Sequence, residues 1–220
     1  MIARGARETA GRTCGSPPQS SNMTSVTVYC SSSRHVPVKY FEAAAELGTA
    51  LAKSHFHLIY GGNRVGCMGA LADAARAAGG KVIGITPQLL VDQGIADEFC
   101  DEFIVTSGMR ERKALLEERG DAFVALPGGL GTFEEIFEIL VAKVLGYHEK
   151  PIIFLNVSNY YDPLLAMLDH GIEQRFMKPS IREAFSVAET VNQAMEMLHD
   201  AGARHSLKHD ARASDASAME

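Results

Sequence analysis

Short β-branched runs take turns with helical segments along almost the whole chain, and two of those runs close on paired glycines that each open a helix. The runs are SVTVYC, FHLIYGG, KVIGIT, DEFIVT, DAFVALPGG and KPIIFLN. Between and after them lie helical patterns over 37–54, 67–79, 109–119, from Thr132 to Gly146, 161–176 and 189–201, while the stretch after KVIGIT reads as a polar connector. Parallel neighbours need a crossover, and strands apolar on both faces need cover on both sides. The expected fold is therefore α/β: a doubly wound parallel sheet flanked by helices on both faces, in a single domain. Ligands of such sheets gather beyond the carboxyl ends of the strands, where both glycine loops fall.

A length of 220 residues suits one domain with a full core. The folded part is expected over 25–203. Residues 1–24, with Arg4, Arg7, Arg12 and then GSPPQSS, read as a disordered extension, and 204–220, which lose apolar periodicity, as a disordered tail. An organelle transit peptide is the minor alternative for the Arg-rich start, and Glu8 weighs against it. A formal charge of −6 argues against a nucleic-acid partner. No apolar run approaches the roughly 20 residues needed to cross a bilayer, so no membrane partner is expected. Cys14, Cys30, Cys67 and Cys100 form no C-x-x-C pair, which fits a reducing, cytoplasmic setting and suggests no zinc site. His55-x-His57 lacks partners at metal-site spacing, so no metal is expected.

The first glycine loop, YGGNRVGCMG, contains Gly61, Gly62, Gly66 and Gly69, and the second, LPGGLGTFEE, contains Gly128, Gly129 and Gly131. Glycine lets backbone approach a ligand closely, and free amides at a helix N-terminus attract anions, phosphate above all. Neither loop is G-x-G-x-x-G with a following ribose-binding acid, nor G-x-x-x-x-G-K-[ST], so dinucleotide and NTP-hydrolase readings lack their defining residues. Two loops at neighbouring strand ends favour a phosphorylated ligand over tight turns alone. Ser31 and Ser32, with Arg34, bring hydroxyls to the same sheet edge.

Glu134 and Glu135 follow the second loop directly. One reading is a capping box, in which Thr132 caps the helix and Glu135 reaches back to its amide. The other is chemical: a carboxylate at a helix start, held ionised by the helix dipole, can stabilise positive charge developing on a substrate. In MRERKALL, Arg112 offers a planar cationic fork and Lys113 a flexible point charge, or both belong to a solvated helix face.

These stretches carry a resemblance. PGGLGTFEE is similar to the P-G-G-x-G-T-x-x-E motif of the LOG ("Lonely Guy") family, the cytokinin riboside 5′-monophosphate phosphoribohydrolases, often labelled lysine decarboxylases. MRERKALL resembles the family's M-x-x-R-K segment, and YGGNRVGCMGALADAA its G-G-x-x-x-G-x-M-G loop. The resemblance spans Val26 to Leu198 and implies a Rossmann-like fold and a homodimer. The implied activity is hydrolysis of the N-glycosidic bond of purine nucleoside 5′-monophosphates, AMP or its N6-substituted analogues, to free base and ribose 5-phosphate, with no cofactor. It makes Arg112 and Glu135 the catalytic pair, and Lys113 and Glu134 neighbouring ligand contacts. Gly128, Gly129, Leu130, Gly131 and Thr132 become the phosphate loop, with Gly61, Gly62, Gly66, Met68, Gly69, Ser31 and Ser32 as further substrate contacts.

Glu134 and Glu135 both remain open as the acid that acts at C1′. A nucleotide or cofactor carrier that binds in the same cradle without hydrolysis is the alternative function. No lysine is marked as a Schiff-base residue, so decarboxylation has no chemical basis here. The chain departs from the family pattern at CSSSRH, at GGNRVGCMG, at VDQG, and at Val141 and Ala142 where plant members carry Thr-Trp; these differences bear on base preference. The apolar residues Phe133, Ile136, Phe137, Leu140 and Val144 exceed one narrow stripe, as a subunit interface or a deep core both require.

Overall fold

The computed structural model describes residues 23–217; the expected disordered extension, up to residue 22, and residues 218–220 lie outside them. The chain runs β1 (Ser25–Tyr29), α1 (Val38–Lys53), β2 (His57–Tyr60), α2 (Gly66–Ala77), β3 (Val82–Pro87), α3 (Gln88–Asp92) and β4 (Glu102–Thr106). It continues through α4 (Met109–Arg119), β5 (Ala122–Ala125), α5 (Leu130–Val144), β6 (Ile152–Leu155), α6 (Asp162–Glu173), β7 (Ser186–Ala188) and α7 (Val191–Ser217). The strands form one sheet in the order β4-β3-β2-β1-β5-β6-β7, and every pairing is parallel. This is the Rossmann-like doubly wound arrangement that the alternation implies.

Period-2 alternation divides the strand residues between two cores. Val26, Val28, Leu58 and Val124 face α1, α2 and α7, meeting Leu47, Leu51, Leu71 and Leu198. Ile59, Phe123, Ala125 and Phe154 face the other way, against Leu116 of α4, Ile136, Ile139 and Leu140 of α5, and Leu168 of α6. Each fully buried leucine contributes about 1.5–3 kcal/mol of transfer free energy, so the two layers hold the sheet from both sides. From β1 the chain winds out to β4 and then returns to place β5 on the other side of β1. The crevice at the carboxyl ends of β1 and β5 is the switch point where such sheets bind ligands.

Four expectations about elements need correction. The polar connector contains a short helix, α3, in which Gln88 bonds Asp92 one turn on at 2.8 Å. A seventh strand, β7, pairs with β6 although three residues, SVA, are too few to show a pattern. The helix expected to end near 201 continues to Ser217, so residues 204–217 of the expected disordered tail are helical. Without an apolar stripe, the segment AGARHSLKHDARASDAS still has many good helix formers and no proline, which suffices to extend an anchored helix. Finally, β1 lies between β2 and β5, so the two glycine loops flank the β1 end rather than following adjacent strands.

Candidate active site

All strands being parallel, one edge of the sheet collects the segments that follow them: Ser31 and Ser32 after β1, Gly61 and Gly62 after β2, and Gly128 and Gly129 after β5. α4 starts at this edge. Its first turn is tied down by Glu111, whose carboxylate accepts from the Ser107 amide at 2.8 Å and the Ser107 hydroxyl at 2.7 Å. That start aims Arg112 inwards, below the glycine loops.

Arg112 is 3 % exposed, which removes the solvated-face reading. Its Nη1 donates to Glu135 Oε1 at 2.5 Å, Nε donates to the Ile85 carbonyl at 3.0 Å, and Nη2 faces the Gly61 carbonyl at 3.5 Å. The fork therefore joins the ends of β2 and β3 to α5. Gly61 is required for this: a Cβ there would lie 2.2 Å from Arg112 Nη2. Glu135 is 6 % exposed. Burial raises its pKa above the ordinary glutamate value, and the Arg112 charge offsets part of that rise. The expectation that the helix dipole acts on Glu135 is corrected by its position. α5 begins at Leu130, which puts Glu135 beyond the first turn, where the dipole has faded.

The same helix start replaces the capping box. Gly129, not Thr132, occupies the N-cap position, and no side chain caps α5. Thr132 is buried within the first turn and packs back over Gly128, where a Cβ would lie 2.1 Å from Thr132 Oγ1. Gly129, Leu130 and Gly131 are exposed, and the Cβ directions of Gly129 and Gly131 meet nothing within 4 Å. The start of α5 is thus open to solvent and lined by glycine backbone, and uncapped helix N-termini of this kind attract anions. Beside it Lys113 bridges Glu134 and Glu138, the latter at 2.7 Å, so the two adjacent acids part company: Glu135 is buried on Arg112, and Glu134 is exposed on Lys113.

The first glycine loop packs against the segment after β1. Gly66 has φ +66°, and the Met68 amide donates to the Ser31 carbonyl at 3.3 Å, which ties α2 to the loop after β1. Met68 lies against Gly61, while Gly69 sits on the Arg64 backbone. Gly62 is held by a network that sequence reasoning missed: its carbonyl accepts the Asp97 amide at 2.8 Å, and the buried Asp97 carboxylate accepts from Tyr60 at 2.6 Å and Arg76 at 2.7 Å. These two donors hold the Asp97 carboxyl below its ordinary pKa against the opposing effect of burial, the largest single influence. Cys67 is buried, and burial raises its thiol pKa, so it is an inert packing residue. Among the described residues no group of three or more His, Cys, Asp or Glu is placed to hold a metal ion, and no helix is long and apolar enough to cross a membrane.

Sequence reasoning also missed Tyr160 and Tyr161, whose hydroxyls donate to the Gly128 carbonyl at 2.5 Å and the Leu126 carbonyl at 2.7 Å. The adjacent aromatic pair after a strand was their one signal. Of the expected interface residues, Ile136 and Leu140 are core, Phe133 and Phe137 pack partly buried against it, and Val144 is exposed. A groove of about 380 Å³, lined by Thr24, Phe56 and Leu198 among others, lies at the amino ends of the strands, away from this chemistry.

A family model described as "possible lysine decarboxylase" matches residues 68–198. A probable cytokinin riboside 5′-monophosphate phosphoribohydrolase of Oryza sativa subsp. japonica, LOGL2, is 40 % identical over 180 residues, covering 82 % of this chain and 74 % of its own. The cytokinin riboside 5′-monophosphate phosphoribohydrolase of Rhodococcoides fascians is 42 % identical over 175 residues, covering 79 % and 88 %. That of Mycobacterium tuberculosis is 41 % identical over 170 residues, covering 77 % and 90 %. Among solved structures, the molybdenum cofactor carrier protein of Chlamydomonas reinhardtii superposes with a TM-score of 0.62 at 24 % identity, over 81 % of this chain and 97 % of that one, a likeness of fold alone. The matched motifs hold the buried Arg112–Glu135 pair and the open glycine loop, and with identities near 40 % over most of its length the chain belongs to the LOG family of cytokinin riboside 5′-monophosphate phosphoribohydrolases.

Proposed function

We propose that this chain is a phosphoribohydrolase, cleaving the N-glycosidic bond of a purine nucleoside 5′-monophosphate, AMP or an N6-substituted cytokinin nucleotide, to give free base and ribose 5-phosphate. The observation that carries the reading is the buried Arg112–Glu135 pair, 2.5 Å apart, directly behind the uncapped start of α5. The substrate phosphate takes the amides of the Gly129–Thr132 turn. Glycosidic cleavage passes through an oxocarbenium-like state, which a carboxylate near C1′ stabilises. Water adds to C1′ as the C1′–N bond breaks, the bonding pair leaves with the base, and the base nitrogen ends protonated. Glu135, fixed by Arg112 in a site of low dielectric, is the acid assigned to the reacting carbon; Glu134, with Lys113, serves the ribose hydroxyls or phosphate rim.

The active form is taken to be a homodimer. Val141, Val144, Leu145 and Tyr147 are 54 %, 55 %, 66 % and 81 % exposed in a single chain, an apolar surface around the end of α5 suited to a second copy.

The test is incubation of purified protein with AMP and with N6-isopentenyl-AMP, following release of free base chromatographically. Base release by wild type that disappears in Glu135→Gln supports the hydrolase. A carrier is the second reading, since an open glycine cradle serves binding alone; tight nucleotide binding with no base released by wild type would establish it instead.

A further inference from the structure

The second glycine loop is held from behind by two consecutive tyrosines, and their hydroxyls do different work. We propose that Tyr160 is a positioning residue for the phosphate cradle: by holding the Gly128 carbonyl it aims the Gly129 amide at the bound phosphate. The inference rests on the cradle reading above and extends it to a residue outside the loop motif.

Tyr160 follows β6, on the side of β5 away from β1. The chain reaches it through a turn in which Ser158 and Asn159 both adopt left-handed φ, 53° and 61°. The Asn156 side chain fixes that turn, accepting the Tyr161 amide at 2.7 Å and donating to Asp162 at 2.8 Å. The Tyr160 ring is set edge-on between Tyr40, centroids 5.8 Å apart, and Tyr161, at 5.2 Å. With its ring so constrained, the hydroxyl donates to the Gly128 carbonyl at 2.5 Å.

No peptide bond described is cis. In a trans peptide the carbonyl and the following amide point in opposite directions. Pulling the Gly128 carbonyl back towards Tyr160 therefore turns the Gly129 N–H the opposite way, and Gly129 itself is exposed. Flanked by Gly128 and preceding an uncapped helix, this peptide has few other restraints on its rotation. Tyr161 makes the contrasting case. Its fully buried hydroxyl holds the Leu126 carbonyl, but the next residue is Pro127, which has no N–H, so that bond orients no donor.

Tyr160→Phe keeps the ring contacts and removes the hydroxyl. Titration calorimetry with ribose 5-phosphate, alongside steady-state hydrolysis of AMP, reads the effect. The expected result is a ribose 5-phosphate Kd raised about tenfold and a matching rise in KM for AMP, with a smaller change in kcat. Tyr161→Phe lowers the melting temperature more and the ribose 5-phosphate affinity less. Wild-type affinity retained in Tyr160→Phe would overturn the positioning role while leaving the cradle standing. Wild-type protein that hydrolyses AMP but does not bind ribose 5-phosphate would overturn the cradle, and this inference with it. Equal affinity losses in the two tyrosine variants would reduce Tyr160 to a packing role and also overturn it.

Discussion

Arg112 Nη1 and Glu135 Oε1 lie 2.5 Å apart, both side chains almost wholly buried, and they come from two helices that follow different strands of the sheet. Removing one partner leaves the other charge without its counterion in the interior, which costs about 3–5 kcal/mol. Arg112→Ala is therefore expected to lower unfolding stability by that amount, because Glu135 stays behind. The joint variant Arg112→Met with Glu135→Leu should recover most of it while remaining inactive. Urea unfolding of the two proteins checks this; equal stability of both would show that the pair is not desolvated.

The burial that brings Glu135 to Arg112 also sets its titration. Its folded pKa lies above the ordinary 4.5, so above pH 4.5 the folded chain keeps a proton that the unfolded chain has released. The stability Glu135 contributes is then fully present below pH 4.5 and is lost as pH rises through the folded value. A 13C titration of glutamate side-chain carboxyls, with the signal assigned by its loss in Glu135→Gln, should place the Glu135 midpoint above 4.5. A midpoint below 4.5 would mean that the Arg112 charge outweighs desolvation.

Gly61 separates space from chemistry. A Cβ at that position would lie 2.2 Å from Arg112 Nη2, and Arg112 is anchored on Ile85 and Glu135, so the guanidinium has to move. Gly61→Ala is expected to cut kcat for AMP by at least about tenfold, since a misplacement on the order of 1 Å carries a large rate penalty. Steady-state kinetics of the folded variant decide it, and unchanged kcat would exclude Arg112 from a precise positioning role.

How much of this could be read from the chain follows from the range of each interaction. The sheet, its parallel sense and the edge that carries the loops follow from local periodicity and glycine placement, which short stretches such as HLIYGG and FVALPGG display directly. The contact between Arg112 and Glu135 was pointed to by motif resemblance, not by spacing, while the proposal of a phosphate loop came from the glycine loops and the resemblance together. Local reasoning could offer the Thr132 capping box as one of two readings because its partners are three residues apart, whereas the observed partner of Glu135, Arg112, comes from another helix. Tyr160 and Asp97 escaped for the same reason: their hydrogen bonds to Gly128 and Gly62 span 32 and 35 positions of sequence and leave no periodic trace. The order of the strands was hidden too, because no local signal says that β5 returns beside β1.

The last expectation concerns a histidine far from the cradle. His148 lies between α5 and β6, where its Nε2 pairs with the Ile139 carbonyl at 3.0 Å and its Nδ1 accepts the Lys150 amide at 3.2 Å. That pair of bonds specifies the neutral ring protonated at Nε2, since Nδ1 must keep its lone pair for Lys150. Burial, the largest influence, lowers its pKa below the ordinary 6.5. As pH falls below 6.5 the unfolded chain takes up a proton that the folded ring refuses, so unfolding gains a proton and stability declines until the folded value is passed. Protonation of Nδ1 in the folded state would also sever the Lys150 bond, which closes the turn between α5 and β6. The melting temperature of wild type should therefore drop between pH 7.5 and pH 5.5, and His148→Phe, which keeps a ring against Phe123 but cannot titrate, should show a flatter profile over the same interval. Parallel profiles for the two proteins would move the pH sensitivity to other groups.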